Sequence, residues 1–122
     1  MPWNLNSDKP IFMQLIEIIQ HSILSGTYPP GSKLPSVRDL ASQAAVNPNT
    51  MQRALAELER DGLVYTQRTS GRFITEDTEL IRQAKDSLAM EQIKEFFQKM
   101  NALGYDTAQT IALVEAAAKE VI

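Results

Sequence analysis

The side chains with most chemical potential in this chain are Asn49, Gln52 and Arg53, flanked by Arg38 before them and by Arg68 and Arg72 after them. They do not compose a catalytic set. No paired carboxylates, nucleophilic triad or phosphate-cradling glycine loop is present, and without cysteine there is no thiolate nucleophile, thiolate metal site or disulfide. The lone histidine, His21, lacks the convergent partners that a metal or catalytic site needs. What these types do well is read base edges: arginine bonds guanine O6/N7 in a bidentate pair, and asparagine or glutamine bonds adenine N6/N7. At about 100° per residue, Asn49, Arg53, Ala56 and Arg60 share one helix face, with Gln52 on one flank and Glu57 on the other. Met51, Leu55 and Leu58, with Ala54 beside them, occupy the opposite face. Glu57, Glu59 and Asp61 gather at the C-terminal half, clear of a groove entered by the N-terminal end. An isolated polar face is more often plain solvated surface, so the neighbouring elements decide its meaning.

Those elements are legible. Residues 10–25 read as a helix with Ile11, Leu15, Ile18, Ile19 and Ile23 in an apolar stripe joined by Phe12 and Leu24, with Ser7 or Asp8 expected as cap and Gly26 as stop. After a Pro-Pro-Gly turn, Ser36 is the expected N-cap of a short second helix carrying Leu40, Ala41 and Ala44 to the core. Asn47 caps a third, with Pro48 at N1 and Gly62 just past its end. Only Ala45-Val46-Asn47 separates the two, which is the spacing of a helix-turn-helix. Residues 63–67 and 73–75 read as strands of a hairpin with a polar tip at 68–72, where a winged helix carries its wing. A long helix from about Glu79 to Ala102, with Ile81, Ala84, Leu88, Ile93, Phe96, Phe97 and Met100 placed on its apolar side, and a last helix capped by Asp106 complete the chain. Trp3 is expected to anchor the N-terminal arm, and Tyr28 and Tyr65 to serve packing.

The net charge of −3 argues at first against a nucleic-acid partner. From Gly31 to Thr75, however, six basic residues (Lys33, Arg38, Arg53, Arg60, Arg68, Arg72) face four acidic ones. No apolar run approaches the ~20 residues of a spanning helix, and the N-terminus is not patterned as a signal peptide. The expectation is a cytoplasmic protein without enzymatic activity, cofactor, metal or membrane contact. An alternative is that the same face binds a polypeptide instead of DNA.

With those residues placed, the chain resembles the GntR family of bacterial regulators, and within it the short YtrA-type branch. The resemblance rests on the segments 10–15, 30–41, 46–50 and 58–64, and covers about residues 9–77. It implies a mainly α fold with a small β-hairpin: a winged helix-turn-helix over residues 9–77, then a two-helix dimerisation tail over 78–122. It implies DNA contacts from Ser36 and Arg38 at the second helix, from Asn47, Asn49, Thr50, Gln52 and Arg53 at the turn and third helix, and from Arg68, Ser70, Gly71 and Arg72 in the wing. Thr69 stands where relatives carry a first wing glycine, and Pro48 and Gln52 where many carry arginine. The tail is too short to enclose a ligand pocket of ~300 Å³ or more, so Leu88, Ile93, Phe96, Phe97 and Met100 are expected at a homodimer interface, where an effector pocket of unknown chemistry is compatible. The implied role is that of a repressor of its own operon and a neighbouring transporter operon, bound as a homodimer to a near-palindromic double-stranded operator.

Overall fold

The computed structural model describes residues 2–121. Five helices and one hairpin follow in the order α1 (Ile11–Leu24), α2 (Val37–Ala44), α3 (Pro48–Arg60), β1 (Val64–Gln67), β2 (Gly71–Ile74), α4 (Thr78–Ala102) and α5 (Thr107–Val121). They divide into two compact units, one up to Ala84 and one from Lys85, with the division inside α4.

In the first unit the apolar stripes of α1, α2 and α3 converge. Leu15, Ile19, Leu40, Met51, Ala54, Leu55 and Leu58 are fully enclosed, and Leu63, Val64 and Ile74 extend the core under the hairpin. The starts of α2 and α3 follow capping chemistry: Ser36 Oγ accepts from the Asp39 N–H (3.1 Å), and Asn47 Oδ1 from the Asn49 N–H (2.8 Å). Between them Ala45 turns the chain in the left-handed conformation at φ 57°, ψ 46°, a conformation that costs a residue with a Cβ.

The start of α1 differs from the sequence expectation. Neither Ser7 nor Asp8 caps it; Pro10 takes the N-cap position without a side-chain bond. The arm is held instead by the buried Gln14 amide, which accepts from the Asn6 N–H (2.9 Å) and donates to the carbonyls of Asn6 (2.8 Å) and Lys9 (2.9 Å). Gln14 thus satisfies in the arm the polar groups it would otherwise bury unpaired. Trp3 packs on the core.

The hairpin is antiparallel, Val64 facing Ile74 and Gln67 facing Gly71. Its β2 edge carries a short additional pairing: the Leu34 N–H donates to the Arg72 carbonyl (2.9 Å) and the Ile74 N–H to that of Ser32 (2.8 Å). Tyr65 and Phe73, cross-strand partners, stack with ring centroids 5.8 Å apart. Gly71 and Arg72 belong to β2 and not to the tip, which shrinks to Arg68–Ser70 and closes with the Ser70 N–H on the Gln67 carbonyl (3.1 Å). Thr69 needs no positive φ; the left-handed turn falls on Gly71 at φ 106°.

In α4, Asp77 caps the first turn by accepting from the Leu80 N–H (3.0 Å). The helix has no single apolar side, contrary to the expectation. At about 100° per residue, Ile81, Ala84 and Leu88 form one stripe, whereas Ile93, Phe96, Phe97 and Met100 form another roughly 130° further round. Ile81 and Ala84 pack on the core of the first unit. Within the second unit, Phe96 meets Phe97 edge to face (6.0 Å). Asp106 and Gln109 bond reciprocally at the start of α5, Gln109 N–H to Asp106 Oδ1 (2.8 Å) and Asp106 N–H to Gln109 Oε1 (2.9 Å). Thr110 is the buried residue of α5 among those described.

Candidate nucleic-acid interface

Burial of Met51, Ala54, Leu55 and Leu58 fixes the rotation of α3, which leaves Asn47, Asn49, Gln52 and Arg53 exposed on the side away from the core, with Thr50 partly buried. α2 is rotated in the same way: its buried Leu40, Ala41 and Ala44 leave Arg38 in solvent. Ser36 is exposed, and its hydroxyl, having accepted the cap bond, still has its own proton to donate. The first turn of α3 has no N–H to spare for a phosphate: Pro48 has none, that of Asn49 is taken by Asn47 Oδ1, and those of Thr50 and Met51 bond the Asn47 carbonyl.

The wing lies beside the start of α2. Lys33, Ser36 and Asp39 on one side and Ser70, Gly71 and Arg72 on the other line a groove of about 610 Å³. The Lys33 chain crosses over Gly71, where an added Cβ would stand 3.2 Å from Lys33 Cε. Gly71 therefore serves two ends at once, a left-handed backbone and a path for Lys33.

From Lys33 onward the basic residues of this unit fall into two groups. Arg72 is mostly buried and its Nε donates to Glu59 Oε1 at 3.0 Å, an oxygen that also accepts from the Thr66 hydroxyl. Arg60 pairs with Glu57 one turn earlier (3.1 Å), and Arg82 with Glu79, which holds the Glu79 carboxyl below its ordinary pKa. Lys33, Arg38, Arg53 and Arg68 have no carboxylate partner among the described residues. These four cations have uncompensated charge to offer a polyanion.

Arg72 thus stands apart from the other residues expected in the interface: it braces the wing against α3 with its Nε. Its partner Glu59 escaped the sequence reading because the pair is 13 residues apart and long-range. Lys33 was missed because it lies ahead of α2, outside the helix-turn-helix itself; a basic residue directly before Leu34-Pro35-Ser36 was the available signal. The five expected dimer residues lie in α4, where no residue is buried; Ile93 and Phe96 are 48% and 41% exposed. The described residues contain no cluster of His, Asp or Glu that could hold a metal, and no helix long and apolar enough to cross a membrane.

Comparison with known proteins agrees with this geometry. The profile of the bacterial regulatory proteins of the gntR family matches residues 13–74. The HTH-type transcriptional regulator YhcF of Bacillus subtilis is 44% identical over 98 residues, 80% of this chain and 81% of that protein. The HTH-type transcriptional repressor YtrA of the same organism is 40% identical over 90 residues, 73% of this chain and 69% of that protein. A GntR family transcriptional regulator from Listeria monocytogenes superposes with a TM-score of 0.86 at 40% identity, covering 92% of this chain and 98% of that one. The DNA-binding domain of AraR in complex with operator ORE1 matches with a TM-score of 0.54 at 28% identity, over 62% of this chain and 94% of that one. The chain is a DNA-binding transcriptional regulator that belongs to the GntR family.

Proposed function

We propose that the protein is a cytoplasmic homodimeric repressor that binds a near-palindromic operator, with α3 in the major groove and the wing tip on the adjacent backbone or minor groove. The observation that carries this reading is the sorting of the basic side chains: Arg38, Arg53 and Arg68 are exposed and without carboxylate partners among the described residues, on α2, α3 and the wing tip in turn. Asn49, Gln52 and Arg53 read bases, and Ser36, Arg38, Asn47, Thr50, Arg68, Ser70 and the Gly71 backbone position the protomer on sugar and phosphate. Arg72 takes part through its brace on Glu59. The repressor role is supported by the likeness to YtrA, whose name states that role. The targets, its own operon and a neighbouring transporter operon, are those the YtrA-type resemblance implies.

Dimerisation is supported by α4 and α5, whose apolar side chains have little cover within the chain. Met90, Ile93, Phe96, Ile111, Leu113 and Val114 are 41–52% exposed, and an apolar surface of that kind marks an interaction site. A two-fold protein reads a two-fold site, with half-site centres about one helical turn, ~10 bp, apart or a multiple of it.

Selection of bound sequences from a random DNA pool yields the operator, and gel-shift titration then compares it with a version expanded by five base pairs at the dyad. Affinity is expected to fall to that of a single half-site. Undiminished affinity would show that the subunits bind independently, and would overturn the rigid-dimer reading.

A further inference from the structure

The guanidinium of Arg53 lies over the ring of Phe12, with Cζ 3.7 Å from the ring centroid. Phe12 is the second residue of α1, partly buried, and reaches Arg53 because α1 and α3 pack side by side. Arg53 is exposed and has no carboxylate partner among the described residues. At so short a separation the contact is face to face; a guanidinium standing edge-on, with an N–H toward the ring, would hold its Cζ further out.

The geometry has a chemical consequence. The five N–H donors of a guanidinium all lie in its plane, so a stack occupies the face of the cation and leaves its donor edge free. An ion pair does the reverse, as at Arg72, where Nε is taken up by Glu59. Bidentate recognition of guanine needs that edge. A ring beneath the cation attracts it through the ring quadrupole and limits the rotamers it must give up on binding, which lowers the ordering cost of the complex.

We infer that Phe12 is a positioning residue for base recognition: its ring presets the Arg53 guanidinium for bidentate bonding to a guanine and so sets how strongly α3 discriminates at that base pair. The inference rests on the reading of Arg53 as a base-contacting residue.

The test uses the full chain, the selected operator and a panel of operators substituted one base pair at a time. Arg53→Ala first identifies the base pair that Arg53 reads. Phe12→Leu, which keeps an apolar side chain but removes the ring, is expected to lower discrimination at that same base pair by roughly two- to fivefold, and nowhere else. Phe12→Tyr, which keeps the ring, is expected to retain wild-type discrimination. In an Arg53→Ala background, Phe12→Leu should have no further effect at that position, the sign of a coupled pair. Should Phe12→Leu unfold the domain, Phe12→Met reads the same quantity.

Discrimination at that base pair that survives loss of the ring overturns the inference, as does an even loss across all base pairs or a Phe12→Tyr variant as poor as Phe12→Leu. An Arg53→Ala variant that loses affinity equally on operator and random DNA overturns the base-reading role itself, and the inference with it. The two failures are distinguishable, because the Phe12 variants are measured with Arg53 in place.

Discussion

α3 and α5 are helices of similar length, 13 and 15 residues, with aliphatic side chains recurring through both. α3 encloses Met51, Ala54, Leu55 and Leu58 completely, whereas α5 encloses Thr110 and leaves Ile111, Leu113 and Val114 more than 40% exposed. The first unit closes its own core. The second has apolar side chains to spare, and a helix of about 15 residues is marginal in water without packing. The contrast teaches that one half encloses its apolar side chains within itself, whereas the other leaves them open to the dimer contact proposed above.

Charging the exposed face is the strongest way to break that contrast. Phe96→Glu combined with Ile111→Glu is expected to give a monomer in sedimentation experiments and to lower operator affinity by about a hundredfold or more, since the half-sites no longer bind as one unit. Truncation after Ala84 should do the same while keeping Ile81 and Ala84 on the core of the first unit. A double variant that sediments as a dimer would place the subunit contact elsewhere.

Leu55→Ala and Leu113→Ala sharpen the comparison from within. The first should cost about 2–5 kcal/mol through the cavity it leaves, and that loss should be independent of protein concentration. Leu113→Ala should alter urea unfolding only in the way the midpoint depends on concentration. If both variants responded to dilution alike, the two halves would be a single cooperative unit.

Arg68 and Arg72 offer a smaller contrast within the wing. Arg72→Ala is expected to lose about 1 kcal/mol of stability after allowance for partial exposure of the pair. Arg68→Ala should leave unfolding unchanged and flatten the dependence of log K on log salt by about one unit, the mark of a lost phosphate contact. Interchanged outcomes would reverse the two roles.

The smallest effect is at Ala45. Relief of its left-handed backbone by Ala45→Gly, offset by the greater freedom of glycine in the unfolded chain, should raise stability by about 0.5–1 kcal/mol. Thermal unfolding without any such gain would mean that the turn carries no strain.

Local signals made most of the architecture readable. Ser36 and Asn47 cap because their short side chains reach N–H groups two or three residues on, and the faces of α3 follow from four apolar residues at helical spacing. Features that join distant residues were hidden: Phe12 beneath Arg53, Glu59 against Arg72, and the pairing of Ser32 and Leu34 with β2 have no periodicity to betray them. The change of face along α4 was lost for a different reason. A stripe counted over all 25 residues averages two shorter stripes that point in different directions. Of the candidate site, residue types and solvent-facing sides were legible, but which arginines are already occupied was not, because occupancy is decided by tertiary contacts.

The Arg72–Glu59 pair ties the wing to the last turn of α3, and Thr66 grips the same carboxylate from the facing strand. Wing and helix are thereby held at a set gap, as the jaws of a gauge are. Where such a frame is stiffer than the duplex it meets, the grooves adjust to the jaws and not the jaws to the grooves. The elastic cost then falls on the DNA and varies with how readily each base step bends or narrows. Sequence is weighed in this way even at positions that no side chain touches.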